Sequence, residues 1–183
     1  MSMPGQQQLK KRSLLTTLPY LGRDWRISFQ FNPSSYDYKG WTSLLHLSKG
    51  GDSAPVGGRI GTYGDRTPAI FFNPSYGMLV ASAINGNPSY HNKIENPNLK
   101  IPVNQWSTIA VSQEKLRGVV TFRLEVNGVE AFSMENTQPK EFKSVKVFAS
   151  NPWYEAQPGL IRALTIQTSG EKQGENRYQI MRL

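Results

Sequence analysis

Apolar and polar residues alternate along much of the chain with a period of two. In the segment from 26 to 31, the apolar residues Ile27, Phe29 and Phe31 alternate with three polar ones. This alternation is typical of a β-strand with one buried face and one solvated face. No window of about 12 residues or more sustains the spacing of an amphipathic helix. The pattern therefore predicts an all-β protein.

Further apolar runs recur along the chain, separated by segments rich in glycine and proline. They span 41–48, 67–72, 78–84, 107–112, 119–126, 129–134, 145–150 and 160–168. Together they predict roughly nine or ten strands, at the spacing expected of a β-sandwich. The long polar segment Lys49–Gly64 is expected to be a functional or mobile loop.

The dipeptide Asn127-Gly128 predicts a tight hairpin, because Asn-Gly favours the positive backbone dihedrals of a type I′ turn. The predicted register opposes Val126 to Val129 and Glu125 to Glu130. Alternation then places Phe122, Leu124 and Val126 on one buried face.

The chain has 183 residues, which suits one domain. No apolar stretch approaches the roughly 20 residues that cross a bilayer, and no secretory segment is evident at the N-terminus. A soluble chain is therefore expected. The sequence contains no cysteine, which excludes disulfides, thiolate metal sites and cysteine nucleophiles.

The net charge of +8 favours anionic partners such as sulfated glycans. The basic residues are scattered apart from two groups, Lys10-Lys11-Arg12 and the spaced Lys140, Lys143 and Lys146. Scattered charge also serves solubility, so both interpretations stay open. Nucleic acid is not among the expected partners.

Several motifs occur in a recognisable order along the chain. They are Asp24–Phe31, Ser43–Leu47, Gly64–Phe72, Asn104–Val111, Val126–Val129 and the closing strand Gly159–Ile166. This order resembles the laminin-G and pentraxin-like branch of the concanavalin A-like lectins and glucanases. The resemblance implies an antiparallel β-sandwich of jelly-roll type over residues 12–168, with a flexible segment at 1–11 and a tail at 169–183. These motifs specify the fold, which lectins, receptors, glycosidases and adhesion modules share, so they do not fix the function. We expect a recognition module at the cell surface or outside the cell.

Catalytic chemistry is not expected. Related glucanases use paired carboxylates, but Asn127-Gly128 places Glu125 and Glu130 on opposite arms of a hairpin instead of on one strand facing a cleft. The two histidines, His46 and His91, lie in an apolar run and a polar loop without a nucleophile motif. We therefore predict a non-catalytic protein.

Calcium is an open alternative, because many members of the resembled family bind it with loop oxygens. The candidate ligands are Asp52 and Asp65, with amide oxygens from Asn73, Asn85 and Asn87. Few carboxylates lie close together in the sequence, so Asp65 equally fits a turn or a pair with a neighbouring arginine.

Saccharide binding requires aromatic faces beside amide and hydroxyl groups. Three loop segments combine these residue types, and the candidate ligand contacts are Asn151, Trp153, Tyr154, Tyr36, Tyr38, Asn85, Asn87 and Tyr90. Trp153 and Tyr154 follow a proline and are expected to be exposed. Trp25, Trp106 and Trp41 are expected to anchor the core.

Three functions compete at this stage. The first is a lectin-like recognition or adhesion module that binds a glycan through its loop aromatics. The second is a protein-interaction module, which includes self-assembly through a sheet edge. The third is binding of a heparan-like polyanion through Lys10–Arg12, Arg23, Arg26 and 140–146, with strong salt dependence.

Overall fold

A computed structural model describes residues 5–36, 39–50, 61–73, 77–93, 99, 101–170 and 179–182. Within these residues the protein is all-β, with two sheets packed face to face and no helix. This confirms the predicted antiparallel sandwich. Across the part of the chain that the structure covers, no helix is long and apolar enough to span a membrane.

The first sheet contains seven of the described strands. In spatial order they are β1 (Gln7–Gln8), β13 (Gly159–Thr168), β3 (Trp25–Pro33), β8 (Ser107–Leu116), β9 (Val119–Val126) and β10 (Val129–Glu135), with β14 (Gln179–Arg182) also paired to β13. All of these pairings are antiparallel.

The second sheet also contains seven described strands. Their order is β2 (Leu14–Leu21), β11 (Phe142–Ala149), β4 (Thr42–Ser48), β5 (Ala69–Asn73), β6 (Gly77–Ile84) and β7 (Asn87–Lys93), with β12 (Glu155–Ala156) paired in parallel to β4. The core lies between the sheets. It draws Phe29 and Phe31 from the first sheet and Leu45 and Val147 from the second.

The Asn127-Gly128 hairpin has the predicted register, since Val126 opposes Val129 and Glu125 opposes Glu130. Both turn residues have positive φ, 52° and 78°. Phe122 is buried in the core as predicted, whereas the polar residues that alternate with it in β9 are partly exposed.

The strands β2 and β7 are two of those that were not predicted from the sequence. The strands β2 and β7 lie at opposite edges of the second sheet, and each contains a proline, Pro19 and Pro88. Proline is tolerated at an edge, where one row of backbone N–H groups has no partner strand. The segment 85–91 was predicted to be a loop with ligand contacts, and this prediction is wrong for the backbone of 87–91, which belongs to β7 and pairs with β6.

The segments 1–11 and 169–183 were predicted to lie outside the sandwich, yet each supplies a strand to the first sheet. Gln7 and Gln8 pair with β13, and the N–H of Leu9 donates to Gly159 O at 3.1 Å while its side chain is buried in the core. Residues 179–182 pair with the other end of β13. The sandwich therefore extends beyond residues 12–168.

Candidate ligand-binding site on the second sheet

The outer face of the second sheet carries a small apolar cluster of its own. In β5, Ile70 and Phe72 point into the core, whereas Ala69 and Phe71 point outward. Phe71 is nevertheless only 4% exposed. It is covered by side chains from loops that fold over this side of the sheet.

Aromatic rings surround Phe71 edge-on. The ring centroids of Trp41, His46 and Tyr154 lie 6.1, 6.1 and 5.6 Å from that of Phe71, with interplanar angles of 87°, 86° and 90°. Trp153 packs against His46 at 4.7 Å. Edge-to-face packing of this kind is the favoured arrangement of aromatic rings. We call these five residues the aromatic face.

Sequence reasoning named Trp153 and Tyr154 as exposed ligand contacts, and the structure places both on the aromatic face. Each is half-buried instead of fully exposed. Trp41 was expected to anchor the core, but 41% of its surface is exposed, so this expectation is wrong. The chain immediately before β4 leaves the sheet at Trp41, which allows the ring to lie over Phe71 from outside.

Asn151 was predicted to contact the ligand, but its side chain is fully buried. Its Oδ1 accepts hydrogen bonds from the backbone N–H groups of Trp153 at 2.5 Å and Tyr154 at 3.1 Å. Asparagine commonly forms such bonds with the backbone two or three residues ahead. Asn151 therefore fixes the loop that carries the two aromatic residues, and the ligand-contact assignment is corrected to a positioning role.

The hydrogen bonds of Asn151 determine the tautomer of His46. Backbone N–H groups can only donate, so they face Oδ1 of Asn151, and its Nδ2 faces His46 Nδ1 at 2.6 Å. Nδ1 must then accept, and Nε2 carries the proton that it donates to the carbonyl of Asp65 at 2.6 Å. The neutral imidazole thus joins two loops, one that contains Asp65 and one that contains Asn151.

Burial is the main reason why His46 is neutral. Removal of the charged ring from water lowers the pKa of His46 to about 4, and the positive charge of Arg66 acts in the same direction. None of the surface of His46 is exposed to solvent.

Arg66 adds a cation to the aromatic face. Its guanidinium carbon lies 5.6 Å from the ring centroid of Phe71 and 5.5 Å from that of Trp153, and its Nη1 donates to Ser89 Oγ at 2.6 Å. The sequence analysis did not select this residue. Its only signal in the sequence was its place in the motif Gly64–Phe72, shortly before β5 begins at Ala69.

Two predicted contacts, Tyr36 and Tyr90, belong to the core instead. Tyr36 packs against Phe72 with ring centroids 5.6 Å apart, and its hydroxyl donates to Ile101 O at 2.9 Å. Tyr90 is partly buried against the same core. Both predictions are corrected because the rings turn inward from the strands or loops that bear them. Tyr38 lies outside the described residues.

The remaining predicted amide contacts stabilise turns. Asn85 begins a second Asn-Gly turn, with φ of 50°, and its Oδ1 accepts from the N–H of Thr137 at 2.7 Å. Asn87 Oδ1 accepts from the N–H of Ser89 at 2.9 Å. Neither contributes to the aromatic face among the contacts of the described residues.

The calcium alternative finds little support from Asp65. Its Oδ2 accepts the N–H of Thr62 at 2.7 Å within a turn, which was the competing interpretation. Asp52 lies outside the described residues. Within the described part of the chain, no three His, Cys, Asp or Glu side chains form a group that could hold a metal ion.

Several of the basic residues proposed for polyanion binding are already paired with carboxylates. Lys11 Nζ lies 2.5 Å from Glu155, and Arg23 Nε lies 3.3 Å from Glu141. Arg26 contacts Glu125, on the outer face of the first sheet. Such pairing lowers the local positive potential that a polyanion would meet.

The carboxylates Glu125 and Glu130 lie opposite each other on β9 and β10. Glu125 pairs with Arg26, and Glu130 Oε2 lies 2.8 Å from Arg123 Nε. His91 is exposed, and its Nδ1 lies 2.8 Å from the carbonyl oxygen of Ser89. These contacts tie each group to a nearby partner on the protein surface.

Comparison with known proteins supports the fold. No protein-family model and no curated protein matches the chain. Among solved structures, a legume lectin-like domain from Entamoeba histolytica is similar, with 10% identity, a TM-score of 0.54, and coverage of 93% of this chain and 87% of that chain. The protein therefore has a lectin-like jelly-roll fold.

Two other solved structures are less similar to this chain. Sheep galectin-11 has a TM-score of 0.44 at 13% identity, with coverage of 90% of this chain and 99% of that chain. The receptor-binding domain of botulinum neurotoxin type G has a TM-score of 0.48 at 12% identity and is matched by 88% of this chain, which spans 42% of that domain.

Proposed function

We propose that the protein is a non-catalytic carbohydrate-binding module that contacts its saccharide with the aromatic face. Its outermost residues for this role are Trp41, Trp153 and Tyr154. The proposal includes recognition or adhesion at the cell surface or outside the cell.

The single observation that supports this function is the grouping of partly exposed rings around Phe71. Trp41 is 41% exposed, and the half-buried Trp153 and Tyr154 lie on the same side of the sheet. Sugar rings present apolar C–H faces edged by hydroxyl groups, which complement aromatic surfaces. Large aromatic residues grouped at a surface mark a binding site more often than isolated ones do.

The aromatic face is also held in place by the strand and the loop that carry its residues. Phe71 belongs to a central strand of the second sheet, and the loop of Trp153 is fixed by the buried Asn151. A site whose contact residues are held by packing and hydrogen bonds loses little entropy on binding. This rigidity suits recognition of a small number of saccharide units.

The test is a glycan array, followed by calorimetry on any glycan that binds. Trp41→Ala and Trp153→Ala should each lower affinity about tenfold or more, which corresponds to about 1.4 kcal/mol. Trp106→Ala is the matched control, because Trp106 is also partly buried but stacks with Arg162 of the first sheet. Thermal melts of all variants separate loss of binding from loss of folding.

Two outcomes oppose the proposal. Equal losses in Trp106→Ala and Trp153→Ala show that binding does not depend on the aromatic face. Absence of binding to every glycan favours the protein-interaction hypothesis, which size-exclusion chromatography with light scattering then tests for self-assembly.

A further inference from the structure

Arg66 occupies an unusual environment for a surface arginine. Its guanidinium carbon lies near two aromatic rings, 5.6 Å from the centroid of Phe71 and 5.5 Å from that of Trp153. Its Nε is buried and has no hydrogen-bond partner among the described residues. Partial burial of a charged group without a counter-charge is unfavourable, so some compensating contact is expected when the site is occupied.

No carboxylate of the described residues forms a salt bridge with Arg66. Arg23, Arg26 and Arg123 each form a salt bridge, whereas Arg66 forms none with the described carboxylates. The adjacent Asp65 directs its Oδ2 to the N–H of Thr62 at 2.7 Å, within its own turn. Arg66 Nη1 donates a hydrogen bond to the neutral hydroxyl of Ser89.

We infer that the saccharide bound by the aromatic face carries an anionic group, a carboxylate or a sulfate, and that Arg66 receives it. This inference rests on the proposed function, since it adds a charge to the ligand of the same site. A guanidinium offers paired N–H donors in a planar fork that matches the oxygens of both anions. Contact between Arg66 and Trp153 places the cation next to the ring that would hold the apolar face of the sugar.

The overall charge of the protein is consistent with an acidic ligand. The net charge of +8 attracts anions over long distances, although Lys11, Arg23 and Arg26 are locally paired with carboxylates. Long-range attraction raises the rate of encounter but does not select a site. Selection in this protein is assigned to Arg66, because its charge adjoins the aromatic rings.

The experiment compares matched glycans on the full chain by calorimetry. One pair consists of a uronic acid oligosaccharide and its methyl ester, and a second consists of a sulfated oligosaccharide and its desulfated form. The wild-type protein should prefer the acidic member of at least one pair by about tenfold, and the responsive pair identifies carboxylate or sulfate. Equal affinity within both pairs overturns the inference and leaves the proposed function standing.

Variants then locate the effect. Arg66→Gln should remove the preference for the acidic glycan while affinity for the neutral member changes less than about twofold. Arg66→Lys, which keeps the charge but loses the planar fork, should retain part of the preference. Arg162→Gln is the control, since Arg162 lies over Trp106 on the first sheet. Loss of the preference in this control instead of in Arg66→Gln overturns the inference, and failure of the wild type to bind any of the four glycans overturns it together with the proposed function.

Discussion

His46 shows how one neutral side chain positions two parts of the candidate site. Its Nδ1 accepts from Asn151, whose other amide atom holds the loop of Trp153. Its Nε2 donates to the carbonyl of Asp65, next to Arg66. Protonation of Nδ1 would place two donors against each other in a buried position, so the charged ring is incompatible with these contacts.

Acid should therefore destabilise the protein through His46. Its pKa is about 4 in the folded protein and 6.5 in the reference state, so between these values the unfolded chain binds a proton that the native protein does not. The contribution of neutral His46 to the free energy of unfolding is therefore fully present above pH 6.5. It decreases by roughly 3 kcal/mol as the pH falls from 6.5 to 4. Urea denaturation at intervals from pH 7 to 4 measures the slope.

The control for this prediction is His46→Gln, which removes the titrating group. It should be less stable than the wild type at pH 7 and should show a flatter dependence on pH between 6.5 and 4. If the two proteins lose stability in parallel over this range, then His46 is not the origin of the acid sensitivity.

At the scale of strands and turns, local sequence predicted some elements well. The hairpin at Asn127-Gly128 was predicted with its register because the dipeptide favours a type I′ turn and the flanking residues alternate. The same dipeptide at Asn85-Gly86 also forms a tight turn with positive φ at both residues. It was not recognised, because the following strand, β7, contains Pro88 and many polar residues, and its place in the sheet depends on pairing with β6 and on packing of Tyr90 against the core.

The candidate site was only partly predictable for a related reason. Trp153 and Tyr154 were found because a tryptophan and a tyrosine after Asn-Pro indicate a loop with aromatic contacts. Phe71 and Phe72 are adjacent, and sequence alone does not decide which of them points outward. That choice is made by pairing with β4 and β6 and by a loop some 80 residues further along the chain.

The backbone conformation of the Asn127-Gly128 turn gives a prediction at this scale. Gly128 has φ of 78° and no neighbouring atom within 4 Å of an added Cβ. Gly128→Ala should therefore lower the free energy of unfolding by about 1 kcal/mol through backbone strain alone. Urea denaturation measures the change.

Gly40 offers a matched comparison. An added Cβ at Gly40 also meets nothing within 4 Å, but its φ does not lie in the left-handed region. Gly40→Ala should therefore leave stability unchanged or raise it slightly by restricting the unfolded chain. Equal effects of the two substitutions would contradict the attribution of the cost to positive φ.

For the whole molecule, the two outer faces of the sandwich differ in chemistry. The outer face of the first sheet carries ion pairs that join Arg26 to Glu125 and Arg123 to Glu130. The outer face of the second sheet carries Phe71 and the rings around it, so its central strands are apolar on both sides. The charged groups on the first sheet already have partners and do not need a ligand. The second sheet has partly exposed rings beside Arg66, which forms no salt bridge with a described carboxylate, and this arrangement favours binding.

This asymmetry leads to a prediction about salt that separates one site from a diffuse basic surface. Binding that neutralises one charge, that of Arg66, should weaken only about fourfold or less when salt rises from about 50 to about 200 mM. Binding through six or more scattered basic residues should weaken about a thousandfold over the same range. Calorimetry with the acidic glycan at both salt concentrations measures the slope, with Lys140→Gln as a variant outside the aromatic face, since Lys140 lies over Tyr63 instead. If affinity falls steeply with salt and Lys140→Gln makes that dependence weaker, then binding belongs to the basic surface. The reason is that a cation remote from the aromatic rings contributes to affinity only through the summed potential of the protein.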